Sequence, residues 1–256
     1  MEHGVTGTIE STTGRRRRAR QALAFAALSA MLVGLSVVSL AGATDAKVLG
    51  KTTRTPSPDC PTDTQRRPCE GVGSVTGFPL AAGGEKRPMN VHQNGKLVAW
   101  ALDLSRPKKS QRDFFGDLFK SDKLGRKPMA RIAVIKHIQR HDYKLLRQSP
   151  VVNLSGALGR KQVFTLDKPL RIRKGQIVAL TVPTWASNFA SHISRNKNRW
   201  RASRTRRNCA PRSSDEGAVR RFARNSRPQQ NVGSVRGYGC DYTSARLLYW
   251  AYYVPG

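Results

Sequence analysis

The residues best suited to chemistry in this sequence are arginines, and they are concentrated in one segment. From Arg195 to Arg236 the chain has thirteen basic residues and two acidic residues in 42 positions. The planar fork of donors on arginine matches phosphate and carboxylate oxygens, so such a cluster indicates binding to an anion. We therefore predict a polyanion-binding surface formed by Arg199, Arg201, Arg204, Arg206 and Arg207.

The alternative is that this segment is a solvated edge whose charge only aids solubility. The two interpretations share one expectation, because neither needs the arginines for folding. Replacing Arg204, Arg206 and Arg207 together with glutamine should then leave the thermal midpoint nearly unchanged. A binding surface should in addition lose salt-sensitive affinity for a phosphate polymer.

Two tryptophans are candidates for stacking on a ligand. Trp185 lies at the end of an apolar run, where loops often bind ligands, and Trp200 lies inside the arginine segment. Aromatic rings in such places stack on sugar rings or bases. The alternative for both tryptophans is a place in the hydrophobic core.

The sequence contains no His-Glu-x-x-His, no Gly-x-Ser-x-Gly, no phosphate-binding loop and no dinucleotide fingerprint. His137 and His141 have the spacing of two metal ligands, but no third ligand is evident. The carboxylates are scattered, and no pair is indicated for glycoside hydrolysis. We predict no catalytic residue, no metal and no cofactor, with a hydrolase assembled from distant strands as an alternative.

The chain has four cysteines, at positions 60, 69, 209 and 240. An even number in an exported chain indicates disulfides, and the simplest pairing by proximity joins Cys60 to Cys69 and Cys209 to Cys240. Two other pairings remain open. A zinc site is the competing interpretation, although the spacings are not Cys-x2-Cys.

The N-terminal segment has the features of a secretory signal peptide. Arg15 to Arg20 supply a positive region, residues 22–41 are uncharged and apolar, and Ala41-Gly42-Ala43 fits a cleavage site. We predict cleavage after Ala43 and a secreted or cell-surface protein. An uncleaved signal anchor is the alternative, and it would be the protein's one attachment to a membrane. The net charge of +30 stays strongly positive without this segment, because the segment has five arginines and two glutamates.

The elements that must position these side chains are short strands. In residues 97–104 an alternating pattern places Val98, Trp100, Leu102 and Leu104 on one face. Such apolar runs are separated by Gly, Pro, Asn and Lys turns. This pattern predicts an antiparallel, all-β sandwich, with a small barrel as the alternative.

Two further runs indicate how the sandwich is built. Residues 170–173 and 177–183 flank Gly175 and predict a β-hairpin. Residues 246–254 are apolar on both faces, which predicts a central strand covered on both sides.

Composition divides the chain into segments. We predict a signal peptide at 1–43, a flexible linker at 44–70 and a β-sandwich domain at 71–256. Within the domain, residues 210–237 are polar and basic and predict a long loop tied at its base by a disulfide. Residues 112–120 predict one or two helical turns.

Four stretches together resemble a group of uncharacterised secreted proteins of high-GC Gram-positive bacteria. They are LVAWALDL, PLRIRKGQIVALTVP, RWRASR and CDYTSARLLYWAYY, and the resemblance spans residues 70–256. It implies a jelly-roll-like sandwich and export from the cell. It brings no catalytic residues with it.

These observations predict a secreted, strongly basic and non-catalytic protein that contacts anionic polymers of the cell envelope, such as cell-wall phosphate polymers or polysaccharides. A carbohydrate-binding sandwich is a second class, in which the tryptophans would matter more than charge. Sensitivity of binding to salt separates these two classes.

Overall fold

The computed structural model describes residues 45–59, 71–121, 123–210 and 216–256. The predicted signal peptide and the predicted Cys60–Cys69 disulfide lie outside these residues. The strands are β1 (Lys47–Leu49), β2 (Val72–Ala82), β3 (Glu85–Lys86), β4 (Gly95–Asp103), β5 (Met129–Gln139), β6 (Asp142–Gln148), β7 (Val152–Asn153), β8 (Lys161–Ile172), β9 (Ile177–Ala186), β10 (Phe189–Ala190), β11 (Arg199–Ala202), β12 (Val235–Gly237), β13 (Cys240–Thr243), β14 (Arg246–Leu247) and β15 (Tyr249–Pro255). The α-helices are α1 (Lys109–Leu118) and α2 (Glu216–Asn225), and short 3-10 turns cover Ser155–Ala157 and Arg206–Asn208.

The strands form two main antiparallel sheets. The smaller sheet has the order β1-β15-β4-β8. The larger sheet has the order β12-β6-β5-β9-β2-β11-β13, with β3 beside β2 and β7 beside β5, and it curls like half a barrel. The predicted all-β antiparallel sandwich is confirmed.

The main core lies between these sheets. Trp100 on β4 is 1% exposed and stacks on Phe164 of the neighbouring β8, with 4.6 Å between ring centroids. Ile132, Leu145 and Leu180 from the larger sheet are completely or almost completely buried in the same core. Cross-strand aromatic and β-branched pairs of this kind stabilise a sheet because their side chains pack face to face.

The predicted central strand is confirmed in β15, which has β1 on one side and β4 on the other. Tyr249 and Tyr253 pack into the main core. Trp250 lies in a separate cluster with Ala101 and Ala190 on the opposite side of the strand. Both faces of β15 are therefore covered, as its uninterrupted apolar sequence predicted.

The predicted hairpin around Gly175 is wrong. Gly175 does have a left-handed backbone, with φ +83°, and Gln176 N–H donates to the Arg173 carbonyl across the turn. However, β8 pairs with β4 in the smaller sheet, whereas β9 pairs with β2 and β5 in the larger one. The turn therefore joins the two layers and does not close a hairpin within one sheet.

The predicted flexible linker is wrong for the part of it that the structure describes. Strand β1 pairs with β15, with Lys47 opposite Tyr253. Farther along, Asp59 is 4% exposed and its N–H donates to the Phe189 carbonyl. Residues 47–59 belong to the sandwich because backbone hydrogen bonds hold them despite their small apolar content.

The helices lie at one side of the larger sheet. In α1, Phe115 is buried against Trp185, with 5.3 Å between ring centroids, and Phe119 just beyond the helix is also buried. The predicted helical turns thus occur. Residues 210–237 were predicted to be a loop, but their described part contains α2 and β12. Within the described residues, neither helix is long and apolar enough to cross a membrane.

Candidate anion-binding groove

A surface groove of about 680 Å³ collects five basic side chains from distant parts of the chain. We call it the basic groove. Leu80, Ala81, Asn196 and Thr243 complete its lining, and none of its lining residues is acidic. The five basic residues are Lys86, Arg87, Arg195, Arg199 and Arg201.

One wall of the basic groove is the tight β2–β3 hairpin. Its turn consists of Gly83 and Gly84, whose φ values of +60° and +97° suit glycine because no Cβ meets the backbone. Lys86 lies opposite Ala81 in the hairpin, and Arg87 follows with a left-handed φ of +50°. A non-glycine residue in this region is uncommon and costs backbone energy, so the surrounding hydrogen bonds must fix it.

The opposite wall is the turn before β11, and Asn198 fastens it to the hairpin. The Asn198 side-chain oxygen accepts from the Gly83 N–H at 3.0 Å, and its amide donates to the Ser194 carbonyl at 3.1 Å. The Gly84 N–H also donates to the Lys197 carbonyl at 3.0 Å. Asn198 is buried and acts as a positioning residue, because it sets the two walls at a fixed separation.

The floor contains Arg201, whose charge is already neutralised. Its guanidinium donates to both carboxylate oxygens of Asp241, at 2.7 and 2.9 Å, and to the Tyr143 hydroxyl at 3.3 Å. The bond to Asp241 is the main reason that the pKa of Arg201 is raised above its usual value. Arg201 was predicted to contact a polyanion, but its donors are committed to this pair, so it shapes the groove instead.

Four cations of the groove are free to bind an anion. Lys86, Arg87, Arg195 and Arg199 are exposed, and their side chains have no ion pair or hydrogen bond with other described residues. Like charges that line one groove repel one another where they lie within about 8 Å at physiological ionic strength. An anionic ligand with several charges would relieve this repulsion.

Arg204 is not a surface residue, which corrects its predicted role. It is 8% exposed, and its guanidinium donates to the Tyr242 hydroxyl at 2.8 Å and to the Gly73 carbonyl at 2.9 Å. The guanidinium also lies 4.5 Å from the ring centre of Phe222 in α2. Arg204 joins α2 to two strands, so we now expect it to contribute to stability, contrary to the prediction from the sequence.

Arg206 and Arg207 are exposed on the 3-10 turn that follows β11, outside the basic groove. Arg206 lies 3.4 Å from Nε2 of His141, which is in the β5–β6 turn, while His137 contacts the Tyr143 ring. The two histidines are thus placed separately. Among the described residues, no three His, Cys, Asp or Glu side chains form a group that could hold a metal ion.

Neither tryptophan offers a stacking surface to a ligand, because both are 2% exposed. Trp185 donates its ring N–H to the Arg126 carbonyl at 2.8 Å and packs on Phe115. Trp200 stacks on Tyr242 with 4.6 Å between ring centroids. The core interpretation of these residues is the correct one.

The Cys209–Cys240 disulfide is formed, as predicted, with Cα atoms 5.3 Å apart. It joins the residue that follows the 3-10 turn to β13, the strand that also supplies Asp241. The bridge therefore closes the segment that contains α2 and holds it against the sheet that forms the floor of the basic groove.

Sequence reasoning missed Lys86 and Arg87, which lie more than a hundred positions before the arginine segment. The available signal was the Gly-Gly turn followed by Glu-Lys-Arg, which indicates a hairpin with basic residues at its end. Nothing in the sequence indicated that this hairpin lies beside β11, because β2 and β11 are paired only in three dimensions.

Comparisons with known proteins identify no relatives for this chain. No protein-family model matches it, and neither a curated protein nor a solved structure is significantly similar.

Proposed function

We propose that this protein is a secreted, non-catalytic binding protein that attaches to anionic phosphate polymers of the cell envelope through the basic groove. The observation behind the proposal is the convergence of Lys86, Arg87, Arg195 and Arg199, all unpaired among the described residues, in one groove whose lining has no carboxylate. The lining of the basic groove has no carboxylate pair, so no observation there favours the hydrolase alternative.

Secretion is supported by the N-terminal sequence and by the disulfide, since disulfides persist in oxidising compartments. The resemblance to secreted proteins of high-GC Gram-positive bacteria supports the same localisation. We expect the exported protein to begin at Thr44 when its N-terminus is sequenced. Material that keeps Arg15 to Arg20 would contradict cleavage and favour the signal anchor.

The choice of a phosphate polymer follows from charge and geometry. Exposed charges more than about 8 Å apart are largely screened at physiological ionic strength, so useful affinity needs several cations to engage one ligand together. A linear polymer with one charge per repeat meets this need, and a single small anion does not. Each phosphate that is neutralised releases condensed counterions, which makes the affinity depend steeply on salt.

We expect the purified protein to bind poly(glycerol phosphate). A plot of the logarithm of its binding constant against the logarithm of the salt concentration should have a slope of about −3, because each of the four free cations contributes about −0.7 to the slope. The affinity should then fall about fiftyfold between about 50 and 200 mM salt. The variant Arg195→Gln/Arg199→Gln should halve the slope, leaving about a sevenfold fall over the same range. Isothermal titration at several salt concentrations measures both slopes.

The matched control is Lys168→Gln/Arg171→Gln, which removes the same charge from exposed positions on β8. If net charge alone causes binding, both double variants will lose affinity equally, and the groove is not the site. Absence of salt-dependent binding by the parent protein would mean that the arginine segment is only a solvated edge.

A further inference from the structure

A second concave site of about 850 Å³ lies beside the ends of both helices and is separate from the basic groove. We call it the polar pocket. Leu118 at the end of α1 lines it, as does Ser226 just beyond the end of α2. Its volume falls within the range of about 300–1,000 Å³ that is typical of small-molecule sites. The side chains important for its chemistry are Ser121, Ser226, Arg227, Gln230, Asn231 and Arg236.

The wall of the polar pocket is fixed by Gln229, which is buried. The Gln229 N–H donates to the Thr76 hydroxyl at 2.9 Å, and its side-chain amide donates to the carbonyls of Tyr143 and Ser234 at 3.1 and 2.8 Å. The Tyr238 hydroxyl donates to the side-chain oxygen of Gln229 at 2.8 Å. The pocket is therefore preformed rather than dependent on a ligand for its shape.

A distortion of β2 also shapes this pocket. Ser74 has φ +47° at a break in the β2–β9 register, and its hydroxyl donates to the Ser226 carbonyl at 2.7 Å. Left-handed non-glycine residues and β-bulges occur often beside functional sites, where they redirect a side chain. Here the distortion turns Ser74 out of the strand pairing and into the lining.

Several lining side chains have unused hydrogen-bonding capacity. Ser121, Arg227 and Asn231 make no side-chain hydrogen bond with other described residues. Arg236 is half-buried and uses Nε for the Ser203 carbonyl, which leaves its two terminal nitrogens without a partner in the described part of the chain. Burial lowers the pKa of Arg236, and the nearby Arg227 lowers it further, as expected for a guanidinium without a carboxylate beside it.

The charge balance differs from that of the basic groove. Lys120 and Arg227 follow the C-terminal ends of α1 and α2, and each helix end has about half a negative charge. Asp117 adds a carboxylate to the lining, whereas the basic groove has none. A ligand should therefore be recognised mainly by hydrogen bonds and not by net charge. The polar lining also excludes an apolar ligand.

We propose that the polar pocket binds a saccharide unit through hydrogen bonds from Ser121, Asn231 and Arg236. The hydroxyls of a sugar both donate and accept hydrogen bonds, so they match amides, guanidiniums and serine hydroxyls arranged around one cavity. The proposal goes beyond the anion binding of the basic groove and does not depend on it.

The test is a titration of the purified protein with neutral tetrasaccharides of glucose, galactose, mannose and N-acetylglucosamine, followed by calorimetry and by the shift in thermal midpoint. We expect at least one of them to bind, with an affinity that changes by less than about twofold between about 50 and 200 mM salt, because no counterions are released. The variant Ser121→Ala/Asn231→Ala should weaken this binding about tenfold or more, since two hydrogen bonds to the ligand are lost.

The two proposed sites can be distinguished with the variants already described. Arg195→Gln/Arg199→Gln should keep saccharide binding, and Ser121→Ala/Asn231→Ala should keep binding to poly(glycerol phosphate). The proposal is overturned if none of the tetrasaccharides binds, if the pocket variant binds as the parent does, or if the groove variant loses saccharide binding.

Discussion

Replacing Arg204 with glutamine is expected to lower the free energy of unfolding by about 2–4 kcal/mol. The variant loses charge-assisted hydrogen bonds to the Tyr242 hydroxyl and the Gly73 carbonyl, and each such bond contributes about 1.5–3 kcal/mol. It also loses the contact with the Phe222 ring, which contributes about 1–2 kcal/mol when the guanidinium is buried. Relief of the desolvation of a buried charge offsets part of this loss. Urea unfolding measures the difference, provided that the free energy of unfolding depends on urea concentration with the same slope in parent and variant.

The control is Arg206→Gln/Arg207→Gln, because both side chains are exposed on the neighbouring turn. This variant should change the free energy of unfolding by no more than about 0.5 kcal/mol. Arg204→Lys keeps the charge but lacks the planar fork, so we expect it to be almost as unstable as the glutamine variant. An Arg204→Gln protein with the unfolding midpoint of the parent would show that the buried contacts contribute nothing.

Removing the Cys209–Cys240 bridge is expected to cost about 3–4 kcal/mol. The bridge closes a loop with a sequence separation of 31, and constraining such a loop in the unfolded chain gives a stabilisation of this size on the chain-entropy model. Cys240 is completely buried in the main core, so alanine, which adds no polar group, is the suitable replacement at both positions. Urea unfolding of Cys209→Ala/Cys240→Ala measures the effect.

A reductant is a poorer test, because it would also act on the predicted Cys60–Cys69 disulfide. The single variant Cys209→Ala keeps the Cys240 thiol in the core, so it separates the loss of the bridge from the loss of core packing at Cys240. If the double variant is as stable as the parent, the segment containing α2 is held by its other contacts, such as those of Arg204 and Gln229, and not by the disulfide.

The sequence pattern located the strands but not their irregularities. For residues 97–104 alternation predicted that Val98 faces the core, yet Leu97 is completely buried and Val98 is not. The β15–β4 register shifts between Tyr252 and Tyr253, which pair with Ala99 and Leu97, so Val98 is an extra residue in β4 and the pattern moves by one position. A bulge of this kind depends on the partner strand, so local alternation does not reveal it.

The helix α2 was missed because composition was given more weight than spacing. The segment is rich in arginine and was predicted to be a loop, but Ala218 and Phe222 have the four-residue spacing of one helical face, and Ala223 follows Phe222. Ala218 and Ala223 are buried, and Phe222 packs on the Arg204 guanidinium. A few apolar positions were enough, because a buried arginine supplied part of the surface that they cover.

Only some of the predicted anion-binding residues lie in the basic groove. Of the five arginines predicted, Arg199 remains a free cation of the basic groove, while Arg201 is paired and Arg204 is buried. A run of arginines in the sequence does not reveal which side chains share one surface. Alternation along a strand, pairing with a carboxylate and a change of direction at a turn place neighbouring arginines in different surroundings. Lys86 and Arg87 join the site only through tertiary pairing.

The pairing of β1 and β4 on either side of β15 has a consequence for when the protein can fold. Residues near positions 47 and 100 meet only through Tyr249–Pro255, so the smaller sheet has no centre until that segment has been synthesised. Pairings between segments this distant in sequence make folding slow, because the chain loses the entropy of closing the loop before any contact stabilises it. The pairings of β15 should therefore form late in folding, after contacts that are local in sequence.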